Sequence, residues 1–319
     1  MSSVHASSIE RAGAAPVGDA SLAAGYGAAR AVVRVRARNF YWGLRLTPWP
    51  RRDGIYAVYA WMRAGDDASD APLPASERRA SLQKFAAQTA QALDGHTDAL
   101  TREPGGAWWP AFADASRRYS LGDDVVAPML LGLAEDLEHS GYADMAGLEG
   151  YCRRVAGTAG RACVRVWGVR SGVDLAGAMA MADELGIAFQ LTNIVRDLGQ
   201  DGRDGRCYVP RELLLACGVT EAELAGWSRP EACALVVGAL VERARVKYAA
   251  AKAVQGLIAP DCAPTLAAMV GIYRRVLEAC AASPCRCVLG PRVRLSGLVK
   301  ARVMLGALLA PRDDSRGDS

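Results

Sequence analysis

Four aspartates in this 319-residue chain form two pairs with the same spacing. Asp66 and Asp70 lie in RAGDDASD, and Asp197 and Asp201 lie in QLTNIVRDLGQD. If both stretches are helical, residues four apart lie on one face, so the two carboxylates of a pair point the same way. Like charges at this spacing repel each other, and the cost rises where the face lines a cavity. A bound cation would remove that cost.

A hard divalent cation suits such pairs. Mg²⁺ prefers one or two carboxylates together with phosphate oxygens and water. Arg63 precedes the first pair and Arg196 precedes the second, and guanidinium groups bind phosphate well. Two such faces across a cavity could hold Mg²⁺ around a diphosphate. The alternative is that each pair lies on a solvated helix face. This alternative is stronger for the first pair, because Asp67 makes that stretch resemble a run of surface charges.

The helix around the second pair has two different sides. Its apolar side carries Leu191, Ile194, Val195 and Leu198. Its polar stripe carries Gln190, Asn193 and Arg196. A polar stripe on a mostly apolar helix predicts a face turned toward a cavity, and Arg206, Tyr208 and Arg211 follow in a predicted loop that could supply hydrogen-bond donors.

The composition indicates a globular protein, with 51% hydrophobic and 23% charged residues. The net charge of +4, without a basic run interleaved with aromatic residues, argues against nucleic-acid binding. Nine scattered cysteines show no zinc-ligand spacing, and three histidines are too few for a histidine-based metal site or triad. We therefore expect a cytoplasmic protein whose thiols pack as small apolar residues.

The chain is predicted to form one domain over residues 26–310. Residues 1–25, rich in Ala, Gly and Ser, are expected to be flexible, and residues 311–319 form a polar tail. No apolar region predicts a signal peptide, and the longest apolar run falls far short of the ~20 residues that a membrane span needs.

Helical periodicity dominates this domain, and strict apolar–polar alternation is rare. The pattern, with breaks at Pro, Gly and Asp, predicts an all-α fold. The predicted helices cover residues 25–45, 51–69, 76–93, 107–119, 122–138, 145–169, 174–199, 210–216, 220–226, 229–256, 262–282 and 292–309.

Several longer stretches resemble motifs of the squalene/phytoene synthase family, in that family's order. They are YAVYAWMRAGDDASD (56–70), YCRRVAGTAG (151–160), LGIAFQLTNIVRDLGQDGRDGRCYVPREL (185–213) and YRRVLEA (273–279). The resemblance covers most of the chain from about residue 36 to about residue 300. It implies a helical isoprenoid-synthase fold with a central cavity, and Mg²⁺-dependent head-to-head joining of two prenyl diphosphates in isoprenoid biosynthesis.

The resemblance also implies roles for individual residues. The expected metal ligands are Asp66, Asp70, Asp197 and Asp201. The expected catalytic residues are Arg63, Tyr151, Arg196 and Tyr273. The expected substrate-binding residues include Gln190, Asn193, Arg206, Tyr208 and, by a looser match near the C-terminus, Arg292.

The first helix departs from the family pattern. Many members carry His-Ser-x-Ser-Phe where this chain has Arg-Ala-Arg-Asn-Phe at residues 36–40. We therefore expect Arg38 and Asn39 to replace those hydroxyls in diphosphate binding, with Phe40 and Tyr41 beside the substrate. Ordinary packing in the core is the alternative for each aromatic residue.

The following NFYWGLRLTP looks closest to the bacterial squalene-pathway branch. That likeness implies farnesyl diphosphate as substrate and presqualene diphosphate as the first product, with squalene as a further step. A phytoene synthase acting on geranylgeranyl diphosphate is the alternative. NADPH use and the oligomeric state stay open, since the family needs no Gly-rich dinucleotide loop.

Three other classes of protein compete with this interpretation. Terpene cyclases and chain-elongating prenyltransferases share the fold but usually have a different second motif. Non-catalytic relatives that act as assembly factors tend to lose the aspartates, and all four are present here. A structural helical module would not explain two polar stripes.

The C-terminal region is basic and amphipathic. Residues 286–312 contain no acid, and their basic residues are Arg286, Arg292, Arg294, Lys300, Arg302 and Arg312. Interspersed among them are Val293, Leu298, Val299, Leu305 and Leu308. One hypothesis is reversible docking on the anionic inner surface of a membrane. The alternative is that the apolar face packs on the domain and the basic face is solvated.

Overall fold

The computed structural model describes residues 19–138 and 141–310, without the side chains of Arg38, Asn39 and Ala251. Within these ranges the chain is helical and forms no strand, only one antiparallel bridge between Val169 and Ile258. The predicted all-α fold is confirmed. Residues 1–18 and 311–319, which include the expected polar tail, lie outside the described residues. The first helix begins within the segment expected to be flexible.

Sixteen α-helices are described. They are α1 Asp19–Arg36, α2 Arg38–Leu44, α3 Arg51–Ser69, α4 Ala75–Leu93, α5 Asp98–Thr101, α6 Trp109–Arg118, α7 Asp123–Leu137, α8 Met145–Cys152, α9 Thr158–Trp167, α10 Leu175–Arg203, α11 Arg211–Ala216, α12 Glu221–Gly226, α13 Pro230–Ala250, α14 Ala263–Ala281, α15 Pro284–Leu289 and α16 Gly297–Leu309. A π-helical turn, Arg153–Gly157, joins α8 to α9, and a 3₁₀ turn, Ala251–Gly256, follows α13.

Four predicted helices differ from the observed ones. The helix predicted over 229–256 is α-helical only to Ala250 and ends in the 3₁₀ turn. The helix predicted over 25–45 is divided at Ala37, whose ψ of −7° turns the chain between α1 and α2. The helix predicted over 145–169 contains the π-helical turn, which periodicity does not reveal. The helix predicted over 292–309 begins only at Gly297, because residues 292–296 are irregular and Ser296 caps α16. The short helices α5 and α15 were not predicted.

Helix α10 is the central element of the fold. The side chain of Asp174 caps its N-terminus by accepting hydrogen bonds from the amides of Ala176 and Gly177, at 3.1 and 2.9 Å. The helix then runs for 29 residues and contacts α8, the π-helical turn and α9 on one side. On its other sides it contacts α12, α13, α14, α15 and the 3₁₀ turn. The second aspartate pair therefore lies on a helix held by most of the domain.

Two glycines allow α10 and its neighbours to approach closely. A Cβ atom on Gly186 would lie 2.4 Å from the carbonyl oxygen of Ala156 in the π-helical turn. A Cβ atom on Gly160 of α9 would lie 2.6 Å from the carbonyl oxygen of Ala182. Backbone therefore touches backbone along this contact, which we call the glycine seam.

An aromatic cluster fixes α3, which carries the first aspartate pair. The ring of Trp61 stacks on Phe112 of α6 with centroids 5.0 Å apart and on Phe85 of α4 at 6.1 Å. Its indole nitrogen donates a hydrogen bond to the Thr89 hydroxyl at 3.0 Å. Trp61 is fully buried, so it holds α3 against both helices by packing and by a satisfied polar contact.

A buried ion cluster fixes α8 relative to α10. The ammonium group of Lys247 on α13 lies 2.9 Å from Glu149 of α8 and 2.6 Å from Glu184 of α10. The Lys247 side chain is only 10% exposed, so loss of the ammonium group would leave two poorly solvated carboxylates near each other. This cluster links α8, the helix that carries Tyr151, to α10.

All nine cysteines are free thiols, and five of them are buried. No helix in residues 19–138 and 141–310 is both long enough and apolar enough to cross a membrane.

The glycine seam can be tested against an open glycine. Alanine is normally the better helix former by about 1 kcal/mol. Gly238 on α13 has no neighbouring atom within 4 Å of an added Cβ, so Gly238→Ala should raise the free energy of unfolding by up to about 1 kcal/mol. Gly186→Ala should instead lower it by about 1–3 kcal/mol, because the new methyl group collides with backbone. Urea unfolding followed by circular dichroism measures both changes, and a stabilised Gly186→Ala variant would contradict the seam.

Candidate active site

A cavity of about 1020 Å³ lies between α3, α10 and the helices around them. Its volume is at the upper end of the ~300–1,000 Å³ typical of a site for one small molecule. Along α3 the lining changes from Ile55 and Val58 to Asp66 and Asp70. Along α10 it changes from apolar residues near Leu185 to the second aspartate pair. The cavity therefore has an apolar end and a polar end.

The cavity brings together most of the residues that the sequence identified as site candidates. Those that line it are Phe40, Arg63, Asp66, Asp70, Tyr151, Gln190, Asn193, Arg196, Asp197, Asp201, Arg206, Tyr208, Tyr273 and Arg292. In total, five carboxylates and seven basic side chains are part of the lining. Such a balance suits a ligand that carries both negative charge and bound cations.

Three site candidates are not in this group. Tyr41 does not line the cavity, and its ring instead carries the Arg45 guanidinium 5.3 Å from its centroid. The side chains of Arg38 and Asn39 lie outside the described residues, so their expected part in diphosphate binding stays a prediction.

A guanidinium links the two aspartate-bearing helices. Arg206, in the loop after α10, places two of its nitrogens 3.0 Å from one carboxylate oxygen of Asp70 on α3. The ion pair spans the polar end of the cavity and connects the two helices. Because the Asp70 side chain is 50% exposed, this pair is a weak contact that a better ligand can replace.

Asp197 is held by two guanidinium groups. Arg196 contacts both of its oxygens at 2.8 and 2.5 Å, and Arg292 contacts both at 2.6 Å. Burial alone would raise the pKa of Asp197, but these bonds outweigh it and hold the pKa below its ordinary value. Asp197 is therefore charged, and its charge is already neutralised.

Asp66 and Asp201 lack such compensation. Enclosure by the protein raises the pKa of each to about 7. At Asp66 the charge of Arg63 offsets part of this shift and repulsion from Asp70 adds to it, while repulsion from Asp197 adds to the shift at Asp201. Although 42% of the Asp66 side chain is open, it opens into the cavity rather than into bulk water, so the carboxylate is still poorly solvated. A cation placed beside these carboxylates would keep them ionised.

Asn193 supplies an unused oxygen beside the second pair. Its amide nitrogen donates to Gln190 at 3.2 Å, while its buried Oδ1 atom has no hydrogen-bond partner among the described residues. Asn193, Asp197 and Asp201 follow one another at four-residue intervals, so their oxygens share one face of α10. Amide and carboxylate oxygens are ligands that Mg²⁺ accepts.

The donor set fits a divalent cation that also binds the substrate. Within residues 19–138 and 141–310, no three His, Cys, Asp or Glu side chains converge on a single metal position. Mg²⁺ does not require such a cage, since it typically binds one or two carboxylates and takes its other ligands from phosphate and water. The two pairs fit this mode of binding, with a diphosphate between them.

Asp136 is a site residue that the sequence motifs did not predict. On α7, its two oxygens accept hydrogen bonds from the hydroxyls of Tyr151 and Tyr208, each at 2.9 Å. Burial raises the pKa of Asp136 despite these two bonds. Asp136 is not one of a pair of acids four residues apart, but it shares a helix face with the cavity-lining Met129 and Leu133 at positions i−7 and i−3. This helical spacing was the one feature of the sequence that could have identified Asp136 as a residue facing the cavity.

Three aromatic rings line the cavity near the second pair. Tyr273 lies 4.5 Å from Phe189 and 5.1 Å from Phe40 between ring centroids, and Phe40 lies 6.4 Å from Phe189. Burial raises the pKa of Tyr273 to about 12, so its hydroxyl stays protonated. The faces of such rings are electron-rich and attract a cation.

A model of the family described as squalene/phytoene synthase matches residues 33–299. The chain is 34% identical over 286 residues to a phytoene synthase of Mycobacterium tuberculosis, covering 89% of this chain and 90% of that relative. It is 35% identical over 217 residues to a presqualene diphosphate synthase of Rhodopseudomonas palustris, covering 67% and 72% respectively.

Solved structures share the fold. A dehydrosqualene synthase superposes with a TM-score of 0.77 at 23% identity, covering 90% of this chain and 96% of that one. A squalene synthase from Alicyclobacillus acidocaldarius superposes with a TM-score of 0.73 at 22% identity, covering 84% and 97%. At these identities the likeness concerns the helical fold alone.

The raised pKa values predict how Mg²⁺ stabilisation depends on pH. The folded-state pKa of Asp66 and Asp201 is about 7, above the unfolded value of about 3.9. In metal-free protein these groups therefore lower the free energy of unfolding as pH rises from about 4 to about 7. Mg²⁺ binds the ionised form, so it should raise the Tm at least about 2 °C more at pH 8 than at pH 5.5.

Differential scanning fluorimetry measures this shift, with KCl at equal ionic strength as the salt control. The double variant Asp66→Asn/Asp201→Asn keeps both side-chain shapes and should lose most of the pH dependence of the shift. Equal Mg²⁺ shifts at both pH values would contradict the assignment of these carboxylates as cation ligands.

Proposed function

The chain belongs to the squalene/phytoene synthase family, and we propose that it joins two prenyl diphosphates head to head. The observation that carries this proposal is that Asp66 and Asp70, at the C-terminal end of α3, lie at the polar end of one cavity together with Asp197 and Asp201 of α10. The remaining lining is largely apolar, which suits isoprenoid chains. At about 1020 Å³ the cavity is at the upper end of the usual range for a ligand site, and its apolar end offers room for extended isoprenoid chains.

The two aspartate pairs and Asn193 would hold Mg²⁺ together with the substrate diphosphate. When bound, Mg²⁺ would neutralise the charge that develops on the departing diphosphate. Arg63, Arg206 and Arg292 lie at the same end of the cavity and would donate to the remaining phosphate oxygens. In this proposal Arg206 and Arg292 exchange their present carboxylate partners for phosphate.

The proposed reaction begins when the allylic carbon–oxygen bond of one substrate breaks. The resulting allylic cation meets the double bond of the second substrate, and loss of one proton leaves a cyclopropyl-carbinyl diphosphate and free diphosphate. The faces of Phe40, Phe189 and Tyr273 would stabilise the cation by about 0.5–2 kcal/mol each. The apolar walls would keep water from trapping it.

Asp136 would position two tyrosines at the polar end of the cavity. Its carboxylate accepts from Tyr151 and Tyr208, whose rings stack with centroids 5.5 Å apart. Because the hydroxyls of Tyr151 and Tyr208 both donate their protons to Asp136, the lone pairs of the two hydroxyl oxygens point away from that carboxylate. The pair is thus held as a rigid polar surface beside the diphosphate.

Farnesyl diphosphate is the proposed substrate, with presqualene diphosphate as the first product. Its support is the NFYWGLRLTP stretch and the 35% identity to a presqualene diphosphate synthase. Geranylgeranyl diphosphate is the second candidate, because the similarity to a phytoene synthase extends over 89% of the chain rather than 67%.

A non-catalytic assembly role has less support. All four aspartates are retained, and they line an open cavity together with seven basic side chains. A protein that only bound a partner would gain nothing from raising the pKa of Asp66 and Asp201 to about 7. The long second motif over residues 185–213 likewise argues against a cyclase or a chain-elongating enzyme.

Removing one metal-ligand candidate from each helix tests the chemistry. Asp66→Ala and Asp197→Ala should each lower kcat at least about 10³-fold, because charge on the leaving group would no longer be neutralised. Because Asp197→Ala leaves two guanidiniums unpaired, Asp197→Asn provides a milder second variant. Product formation from radiolabelled farnesyl diphosphate with Mg²⁺ is the measurement.

The matched control is Asp204→Asn. Asp204 is an exposed acid three residues after Asp201 and does not line the cavity, so this variant should keep wild-type activity. Near-normal turnover in a folded Asp66→Ala or Asp197→Asn variant would refute the metal-cluster proposal.

The choice of substrate is tested with each prenyl diphosphate separately. We expect kcat/KM to be higher for farnesyl than for geranylgeranyl diphosphate, with presqualene diphosphate accumulating when NADPH is omitted. Parallel reactions with NADPH show whether the chain continues to squalene. Faster conversion of geranylgeranyl diphosphate to phytoene would assign the chain to the second candidate instead.

A further inference from the structure

Helix α16 exposes an apolar face. Four leucines in this 13-residue helix are largely exposed, namely Leu298 (77%), Leu305 (57%), Leu308 (48%) and Leu309 (73%). Leu298, Leu305 and Leu309 are seven and four residues apart, a spacing that places them on one side of the helix. Single exposed leucines are ordinary, but a contiguous apolar face on a protein surface marks an interaction site.

The opposite side of α16 already has a partner. Val303 is buried and packs on Gly271 of α14. A Cβ atom added to Gly271 would lie only 2.7 Å from a methyl carbon of Val303. Val293, which precedes the helix, is buried as well. These two valines therefore pack on the domain while the leucines point outward. The alternative that all apolar side chains of this region pack on the domain is therefore wrong for the leucines.

The charge around this face has one sign. No acid occurs between residues 286 and 310, and the exposed basic residues are Arg286, Arg292, Arg294 and Arg302. Arg302 lies four residues after Leu298 and three before Leu305, so it belongs to the same outward face. An apolar face bordered by cations matches an anionic lipid surface.

Helix α16 and the segment before it reach the wall of the cavity. Arg294, Leu295 and Lys300, from the segment that leads into α16 and from its first turn, line the cavity. Val35 at the end of α1 also lines it and is 74% exposed. Helix α16 therefore contributes to the cavity wall through Lys300 and to the protein surface through its leucines.

Other occupants fit this face less well. The nine residues that follow Ala310, PRDDSRGDS, contain no large apolar side chain that could cover the leucines. A second copy of the chain would bring Arg302 and its basic neighbours against the same cations, with no acid on α16 to compensate them. An anionic lipid surface satisfies both the leucines and the cations.

We propose that the outward face of α16 docks the protein on anionic lipid, with the opening of the cavity at the membrane interface. Docking itself is independent of the catalytic proposal, whereas its use for delivering prenyl chains and releasing the product rests on the proposed function. Arg312, the last basic residue of the acid-free stretch 286–312, lies outside the described residues and carries no part of the proposal.

Vesicle co-sedimentation of the full chain tests the docking. Binding to phosphatidylcholine vesicles should be weak, should rise as phosphatidylglycerol is added, and should fall with added NaCl. The double variant Leu305→Gln/Leu309→Gln should lower the partition coefficient at least about tenfold. Arg302→Gln should weaken binding mainly to the anionic vesicles.

The matched control is Leu215→Gln/Leu235→Gln. These leucines are 80% and 64% exposed on α11 and α13, so the control removes the same chemistry elsewhere and should bind vesicles like the wild type. Unchanged Tm values would show that both double variants are folded. Absent binding, or equal loss in the control, would overturn the proposal.

Two further measurements separate the outcomes. If size-exclusion chromatography shows a dimer that Leu305→Gln/Leu309→Gln dissociates, the face is a contact between copies and the lipid proposal fails. Turnover of detergent-dispersed farnesyl diphosphate should be unchanged in this variant, because neither leucine lines the cavity. Vesicle binding without turnover in the wild type would support docking while refuting the proposed function.

Discussion

Repulsion among five carboxylates in one cavity is the constraint on which the site depends. The structure meets it in three different ways. Guanidiniums pair with Asp70 and Asp197, and two tyrosine hydroxyls donate to Asp136. Asp66 and Asp201 have their pKa raised to about 7. Each solution is local and replaceable, since a proton or a guanidinium can leave when a stronger cation arrives. The fold therefore holds together a set of acids that a bound cation would stabilise further.

The carboxylates and their counter-ions come from different kinds of structure. Both aspartate pairs lie on long helices, one fixed by the Trp61 cluster and the other by the glycine seam. Arg206 and Arg292 come instead from irregular segments after α10 and before α16. Carboxylate positions set by packed helices can therefore stay constant while the arginines change partners. Under the proposed function, this arrangement would combine a fixed set of cation ligands with adaptable phosphate contacts.

The sequence revealed the parts of this site that obey helical spacing. The two aspartate pairs and the polar stripe with Asn193 were recognisable because residues four apart share a face. Asp136 was not, because its partners Tyr151 and Tyr208 are distant in sequence and only the fold brings them together. The break at Ala37 and the π-helical turn also escaped prediction, since both depend on packing against neighbouring helices rather than on local periodicity.

The glycine seam also limits how the chamber can be redesigned. Backbone atoms meet there, so larger side chains at Gly160 or Gly186 would push the helices apart rather than reshape the lining. The other walls are softer, because three methionines, Met62, Met129 and Met269, face the cavity from α3, α7 and α14. Methionine is unbranched and adapts to irregular gaps. If the cavity binds isoprenoid chains as proposed, substitutions that change the preferred chain length would act on these methionine-lined walls. The wall formed by the glycine seam would stay the same.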